Sequence, residues 1–283
     1  SWRPSLTKTH AMGGFIRNIR DEAGKAAHEK PWVFALYVAL RIIVLIVLIR
    51  SLFEARYEYA LLCLLVLVLL WLPDFLERKL SIEIPSVLEA IILCFIFAAE
   101  ILGEIGEFYV ILPFWDTMLH TIWGFLAAGI GFALVDILNR SEQAQFHLTP
   151  IYMAVTAFCF SMTIGALWEL FEYAMDSFVG FDMQKDTIVA AFNSVTLDPA
   201  GGNTAIHVGD IASTQIVTTA GEIVQIDGGY LDIGIHDTMA GLFGNLIGAT
   251  TFSVIGFIYV KNRKRGTAKN FAANFIPRKR NRS

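Results

Sequence analysis

Asp116 and His120 stand one helical turn apart in FWDTMLHTIWGF, residues 114–125, inside a long apolar run. At i and i+4 both side chains leave one side of a helix, so a single helix can offer two ligands to one ion. In GALWELFEYAMDSF, residues 165–178, Glu169, Glu172 and Asp176 fall within about 60° of one another at ~100° per residue. A third apolar segment opens as GIHDTMAGLFGNLIGA, with His236 and Asp237 at its start and Asn245 two turns deeper on a similar face. Carboxylates with an imidazole form a donor set for a divalent transition metal, zinc, manganese or iron, better than for calcium. With coordination positions left open, such an ion polarises a substrate or activates water.

Roles follow from this donor set. Asp116 and His120, with Glu169 or Glu172 and Asp237, are the candidate metal ligands. Whichever of Glu169 and Glu172 is not a ligand is the candidate general base. Asn245 is placed to orient a ligand, and Asp176 and His236 lie at the edge of the set. The alternative for each pair is ordinary helix packing, because a lone D-x3-H or E-x2-E is a weak signal. Only convergence of three helices at one level gives the pattern weight.

The elements that must bring these residues together are transmembrane helices. The chain of 283 residues is 55% hydrophobic and 17% charged, with a mean hydropathy of +0.56, a composition whose solvent is mostly lipid. Six apolar stretches, 32–53, 57–72, 86–103, 114–138, 150–176 and 237–260, are each near the ~20 residues that cross a hydrocarbon core. The expected fold is an all-α integral membrane protein, a bundle of six transmembrane helices. Between the fifth and sixth, residues 177–236 are rich in β-branched residues with Gly-Gly and Gly-Asp punctuation, which predicts short strands in a small cap.

Lysine and arginine placement gives the expected orientation. Residues 1–31 carry six of them and the tail 261–283 carries nine, whereas residues 177–236 hold only Lys185. The positive-inside rule puts both termini in the cytoplasm and the cap outside. Residues 1–31 contain no short apolar core with a cleavage site, so they read as a cytoplasmic segment ahead of the first span in the 32–260 membrane domain. The basic tail is accounted for by topology and attraction to anionic lipid, without nucleic acid. Cys63, Cys94 and Cys159 all lie in apolar stretches and suggest no disulfide framework.

This topology places Asp116, His120, Glu169, Glu172 and Asp237 near the outer membrane interface, with His120 roughly 10 Å below the outer end of its helix. Buried carboxylates cost several kcal/mol unless paired, protonated or bound to a cation. Since Arg41 is mid-span and far from that level, shared protons or an ion must neutralise them. Glu100, Glu104 and Glu107 at the outer end of the third span read as a solvated rim. His10, His28, His147 and His207 read as surface histidines.

At these residues the sequence resembles a known family. DTMLHTIWGF, then GALWELFEYAMDSFVGFDMQKDT, then HDTMAGLFGNLIGA look like the successive motifs of the YjdF-like bacterial inner-membrane proteins, a family of unknown function, and more distantly they are similar to VanZ-like membrane proteins. The resemblance runs from about residue 85 to 260 and implies a bacterial plasma membrane and a shared fold, but no reaction. Two departures stand out. Gly241 occupies a position where YjdF-like sequences tend to carry a second acid, and the stretch from Asp186 to Asp237 is longer than their usual turn.

Three function classes follow. The first is a metal-dependent enzyme at the outer membrane interface, acting on a lipid-linked or cell-envelope substrate. The second is an ion- or proton-coupled transporter, which requires a polar path onward to the cytoplasm. Below His120 and Asn245 the sequence offers only Ser161, Thr163 and Asp136, which disfavours it. The third is a noncatalytic membrane subunit whose cap binds an external partner. Oligomeric state has no sequence signal.

Overall fold

The computed structural model describes residues 28–80, 82–139, 148–262 and 274–279. The expected cytoplasmic segment up to residue 27, with His10, residues 140–147, with His147, and most of the basic tail lie outside the described residues.

Among the described residues six helices are long and apolar enough to cross a membrane, as expected: Pro31–Phe53, Tyr57–Lys79, Ser86–Ile105, Trp115–Asn139, Pro150–Val179 and Ile235–Asn262. The second is longer than its apolar run. α2 (Tyr57–Leu69) turns briefly at Leu70 and continues as α3 (Leu72–Leu80). α1 (Pro31–Phe53) starts at a proline whose missing N–H costs nothing in a first helical turn. α4 (Ser86–Phe97) runs on into a π-helical stretch, Ala98–Ile105, followed by the single turn α5 (Phe108–Ile111). Val33, Leu40 and Val44 of α1 meet Cys63 and Val66 of α2 and Leu93 and Ile96 of α4 in one buried cluster.

The second half of the chain forms the tighter packing. α6 (Trp115–Asn139), α7 (Pro150–Ala174) and α8 (Ile235–Asn262) pack mutually and more extensively than any other elements. α7 is started by Thr149, whose hydroxyl accepts the Tyr152 N–H at 3.4 Å, and by Pro150. Close approach is set by glycine, because lipid supplies no hydrophobic drive between helices and small residues permit backbone contact. A Cβ on Gly248 of α8 would fall on the Thr121 carbonyl and 2.7 Å from the Phe125 nitrogen of α6. Ala128, Phe132, Met153 and Phe252 are buried between the three helices.

The C-terminal residues return to this core. Ile276, 1% exposed, joins the same cluster, and β8 (Arg278–Lys279) pairs antiparallel with β1 (Ile82–Glu83), the link between α3 and α4. At the opposite end of α8, residues 181–234 form the strand-containing insertion. β2 (Ile188–Val189) pairs with β7 (Tyr230–Leu231), β3 (Phe192–Ser194) with β4 (Ile206–Val208), and β5 (Ser213–Val217) with β6 (Ile223–Asp227), all antiparallel. The β-branched residues and glycine punctuation of the sequence are thus realised as three small ribbons. Cys63, Cys94 and Cys159 are free thiols.

Candidate metal centre

α6, α7 and α8 bring their polar residues together at the end that carries the insertion. His120 is 6% exposed, Glu169 6% and Glu172 7%, and each offers a ligand atom within 4.8 Å of the other two. His120 Nδ1 lies 3.4 Å from Glu169 Oε1, and His120 Nε2 lies 3.5 Å from Asp116 Oδ2. Among the described residues neither His120 Nδ1 nor Glu169 Oε1 has a hydrogen-bond partner, although both are shut off from solvent. Two buried polar atoms aimed at each other without a bond would cost several kcal/mol if nothing bridged or neutralised them.

The backbone leaves room at this point. Gly241 of α8 faces the pair, and a Cβ there would run into Glu169 Oε1 and stand 3.0 Å from His120 Nδ1. Gly244, one turn on, lies against the Thr117 carbonyl and the Cβ of His120, which holds the imidazole between α6 and α8. The departure from the YjdF-like pattern at Gly241 therefore falls at the centre of the cluster. An acid at 241 would project into the same space.

The other site residues are placed as follows. Asp116 is partly open, its side chain 25% exposed. Asp237 is partly buried, accepts the Lys185 N–H at 3.0 Å on Oδ2, and is close enough to Asp116 and Glu169 for their charges to interact. Glu172 Oε1 accepts the Trp168 indole N–H at 2.7 Å. Asp176 is held in a second π-helical stretch, Met175–Val179, and does not join the cluster directly. Its carboxylate accepts the N–H groups of Met183 at 2.6 Å and Gln184 at 2.8 Å. The Gln184 amide in turn donates to Thr238, whose hydroxyl contacts Glu169. His236 is not brought in. Its ring is exposed and reaches only Asp232, at 4.0 Å. Asn245 is wholly buried one turn below Gly241, and its Nδ2 donates to the Ser161 carbonyl at 3.3 Å rather than to any acid of the cluster.

Three residues that the sequence reading passed over belong to this site. Trp168 belongs to no site spacing and Lys185 stands out only as a lone cation, yet the first bonds Glu172 and the charge of the second reaches Asp116 and Asp237. Tyr109 follows the π-helical stretch, with its ring laid on Gly103. Burial first, and then the charges of Asp116, Glu104, Glu100 and Glu172, push its phenol above the ordinary range, so it keeps its proton near these carboxylates. No spacing rule could have found it, because a π-helical turn rotates everything after it away from the α-helical period. Of the presumed rim, Glu104 and Glu107 are exposed, and Glu100 is partly buried.

The insertion is fastened to the site end by Asp232. Burial raises its carboxyl, but the N–H groups of Thr187, His236 and Gly234 more than offset this and hold it below the usual carboxylate range.

A buried, unpartnered imidazole nitrogen and carboxylate oxygen, with a second buried glutamate beside them and a glycine keeping the space open, form an arrangement that could hold a metal ion. A family model described as "Predicted membrane protein (DUF2238)" matches residues 36–262, most of the chain. No curated protein and no solved structure matches it.

Proposed function

As the chain belongs to the DUF2238 family of predicted membrane proteins, a description that names no reaction, we propose its function from the site: a metal-dependent enzyme of the membrane interface. Its substrate in this reading is a lipid-linked or cell-envelope compound. The YjdF-like motifs are consistent with that family and favour a bacterial plasma membrane, with both termini cytoplasmic and the insertion outside.

One observation carries the reading: His120 Nδ1 and Glu169 Oε1, both buried and both without a hydrogen bond, face each other at 3.4 Å. His120 and Glu169 would hold the ion, with Asp116 and Asp237 within reach as further ligands and Glu172 beside them. A divalent cation here supplies Lewis acidity in a medium of low dielectric. The chain's own groups do the rest. Glu172, its Oε1 fixed by Trp168, presents Oε2 as the base that takes a proton. The Tyr109 hydroxyl would serve as a proton donor, and the Gln184–Thr238 link orients Glu169 as hydrogen-bonded neighbours of ligands do in metal sites.

The conducting alternative is weaker on structural grounds. Beneath Asn245 the three-helix core is filled by Phe132 and Phe252, each 0% exposed, so apolar rings stand where an ion path would continue.

Cobalt(II) titration of the detergent-purified full chain tests the donor set. The d–d absorption of a mixed nitrogen and oxygen site is expected in the wild type and is lost in His120→Ala. Glu172→Gln keeps the absorption with an altered band shape if Glu172 is the base, and loses it if Glu172 is an essential ligand. A wild-type protein that yields no cobalt spectrum at all rejects the metal reading.

A further inference from the structure

Access to the polar cluster is unequal from its three sides. The side under the insertion is roofed. Asp176 fixes the N–H groups of Met183 and Gln184, the Gln184 side chain, 9% exposed, ties to Thr238, and the Lys185 N–H is held by Asp237. Thr187 and Asp232 then lock in both directions, Thr187 N–H to Asp232 Oδ1 at 2.8 Å and Asp232 N–H to the Thr187 carbonyl at 3.1 Å. The floor is solid, because Asn245 and Ser161, both 0% exposed, fill the seam against Gly124 and Gly165.

The chain segments that lead into the site helices expose apolar side chains. Asp116 and Asp237 are the partly open members of the cluster. The end turns from which the site residues enter carry Val110 78%, Ile111 61%, Phe114 59%, Phe178 84%, Phe181 57% and Ile233 80% exposed. These residues lie outside the spans or in the last turn of one, where a water-filled mouth would carry polar side chains. Trp168 joins the two environments: 41% exposed on the outer face of α7, it still gives its indole N–H to Glu172. An amphipathic ring with an apolar body in lipid and its N–H on a buried acid belongs at the interface of a bilayer.

We propose, resting on the reading of this cluster as a ligand site, that it takes a membrane amphiphile from the bilayer side. The acyl chains lie along the apolar lip and the polar head reaches Asp116, Tyr109 and the acids behind them. A water-soluble molecule is refused by the roof.

The test uses the full chain in phosphatidylcholine nanodiscs, with Cys63, Cys94 and Cys159 replaced by serine. Asp116→Cys and, separately, Tyr109→Cys place a thiol at the mouth, and Thr219→Cys in the β5–β6 turn is the water-facing control. Each is labelled with a dodecyl maleimide and with a sulfonated maleimide of the same reactivity. The ratio of lipid-soluble to sulfonated rate is expected to be at least roughly tenfold higher at 116 and 109 than at 219. The sulfonated reagent should also react at 116 and 109 at less than about a tenth of its rate at 219. Sulfonated labelling of both mouth positions at rates near the control overturns the proposal. These rates are read without metal, so they stand apart from the cobalt titration: either result can fail while the other holds.

Discussion

Gly241 lies over His120 so closely that a single methyl group on it would stand 3.0 Å from the imidazole Nδ1. The glycine is therefore what allows α8 to close on the His120–Glu169 pair while leaving space between them. Gly241→Ala is expected to push α8 outward or turn the imidazole, at about 1–3 kcal/mol of stability. Metal affinity should fall by roughly tenfold or more, since displaced ligands cost at least as much as displaced outer-shell partners. Thermal unfolding in detergent and competitive metal titration measure the two effects separately.

Asn245 separates packing from ligand support. Its side chain sits between Gly124 and Gly165 and bonds the Ser161 carbonyl, while the Ser161 hydroxyl bonds the Gly124 carbonyl at 2.8 Å. Asn245→Ala should cost about 2 kcal/mol by loss of packing and one hydrogen bond. Metal stoichiometry should be unchanged. A loss of metal without a loss of stability would instead give Asn245 the ligand-orienting role that its sequence position suggested.

The roof should open with acid. The Asp232 carboxyl is held below its ordinary 3.8 by the N–H groups it accepts. The stabilisation from these bonds is thus fully present above that value and is lost as pH falls through the folded carboxyl's own lower value. Hydrogen exchange at residues 183–187 should accelerate over that window. Asp232→Asn should show fast exchange already at neutral pH, with about 2 kcal/mol lost locally.

Orientation is checked by thiol accessibility. Ser194→Cys in β3 should be labelled from outside intact cells by an impermeant maleimide, and Ser283→Cys only after lysis. Labelling of position 283 from outside would reverse the topology inferred from the lysine and arginine asymmetry.

How much of this was legible without coordinates depends on the kind of period involved. The six spans follow from apolar length, and the strand character of the insertion follows from its β-branched residues and glycine punctuation; both are local. Glu169 and Glu172 share a face because the α-helical period holds through Ala174, and Asp116 and His120 likewise. Asp176 was grouped with them, but the π-helical turn begins at Met175, and Asp176 caps the roof instead. Tyr109 was hidden by the same cause on the other side, after the π-helical stretch Ala98–Ile105. Trp168 was hidden because a tryptophan near a helix end reads as an interfacial anchor, and only the coordinates show its N–H turned inward to Glu172. The return of Ile276 into the core depends on a contact from a distant part of the chain, which no local pattern records.

In the proposed site His120 and Glu169 hold one divalent transition metal beside Glu172. Metal content of the purified full chain by mass spectrometry, after exposure to equimolar zinc, manganese and iron(II), tests it most directly. The account predicts about one ion per chain in the wild type, and a small fraction of that in His120→Ala and Glu169→Gln at unchanged folding by circular dichroism. A wild type with no ion, or variants that retain it in full, would contradict the claim and leave the cluster as hydrogen-bonded, protonated helix packing.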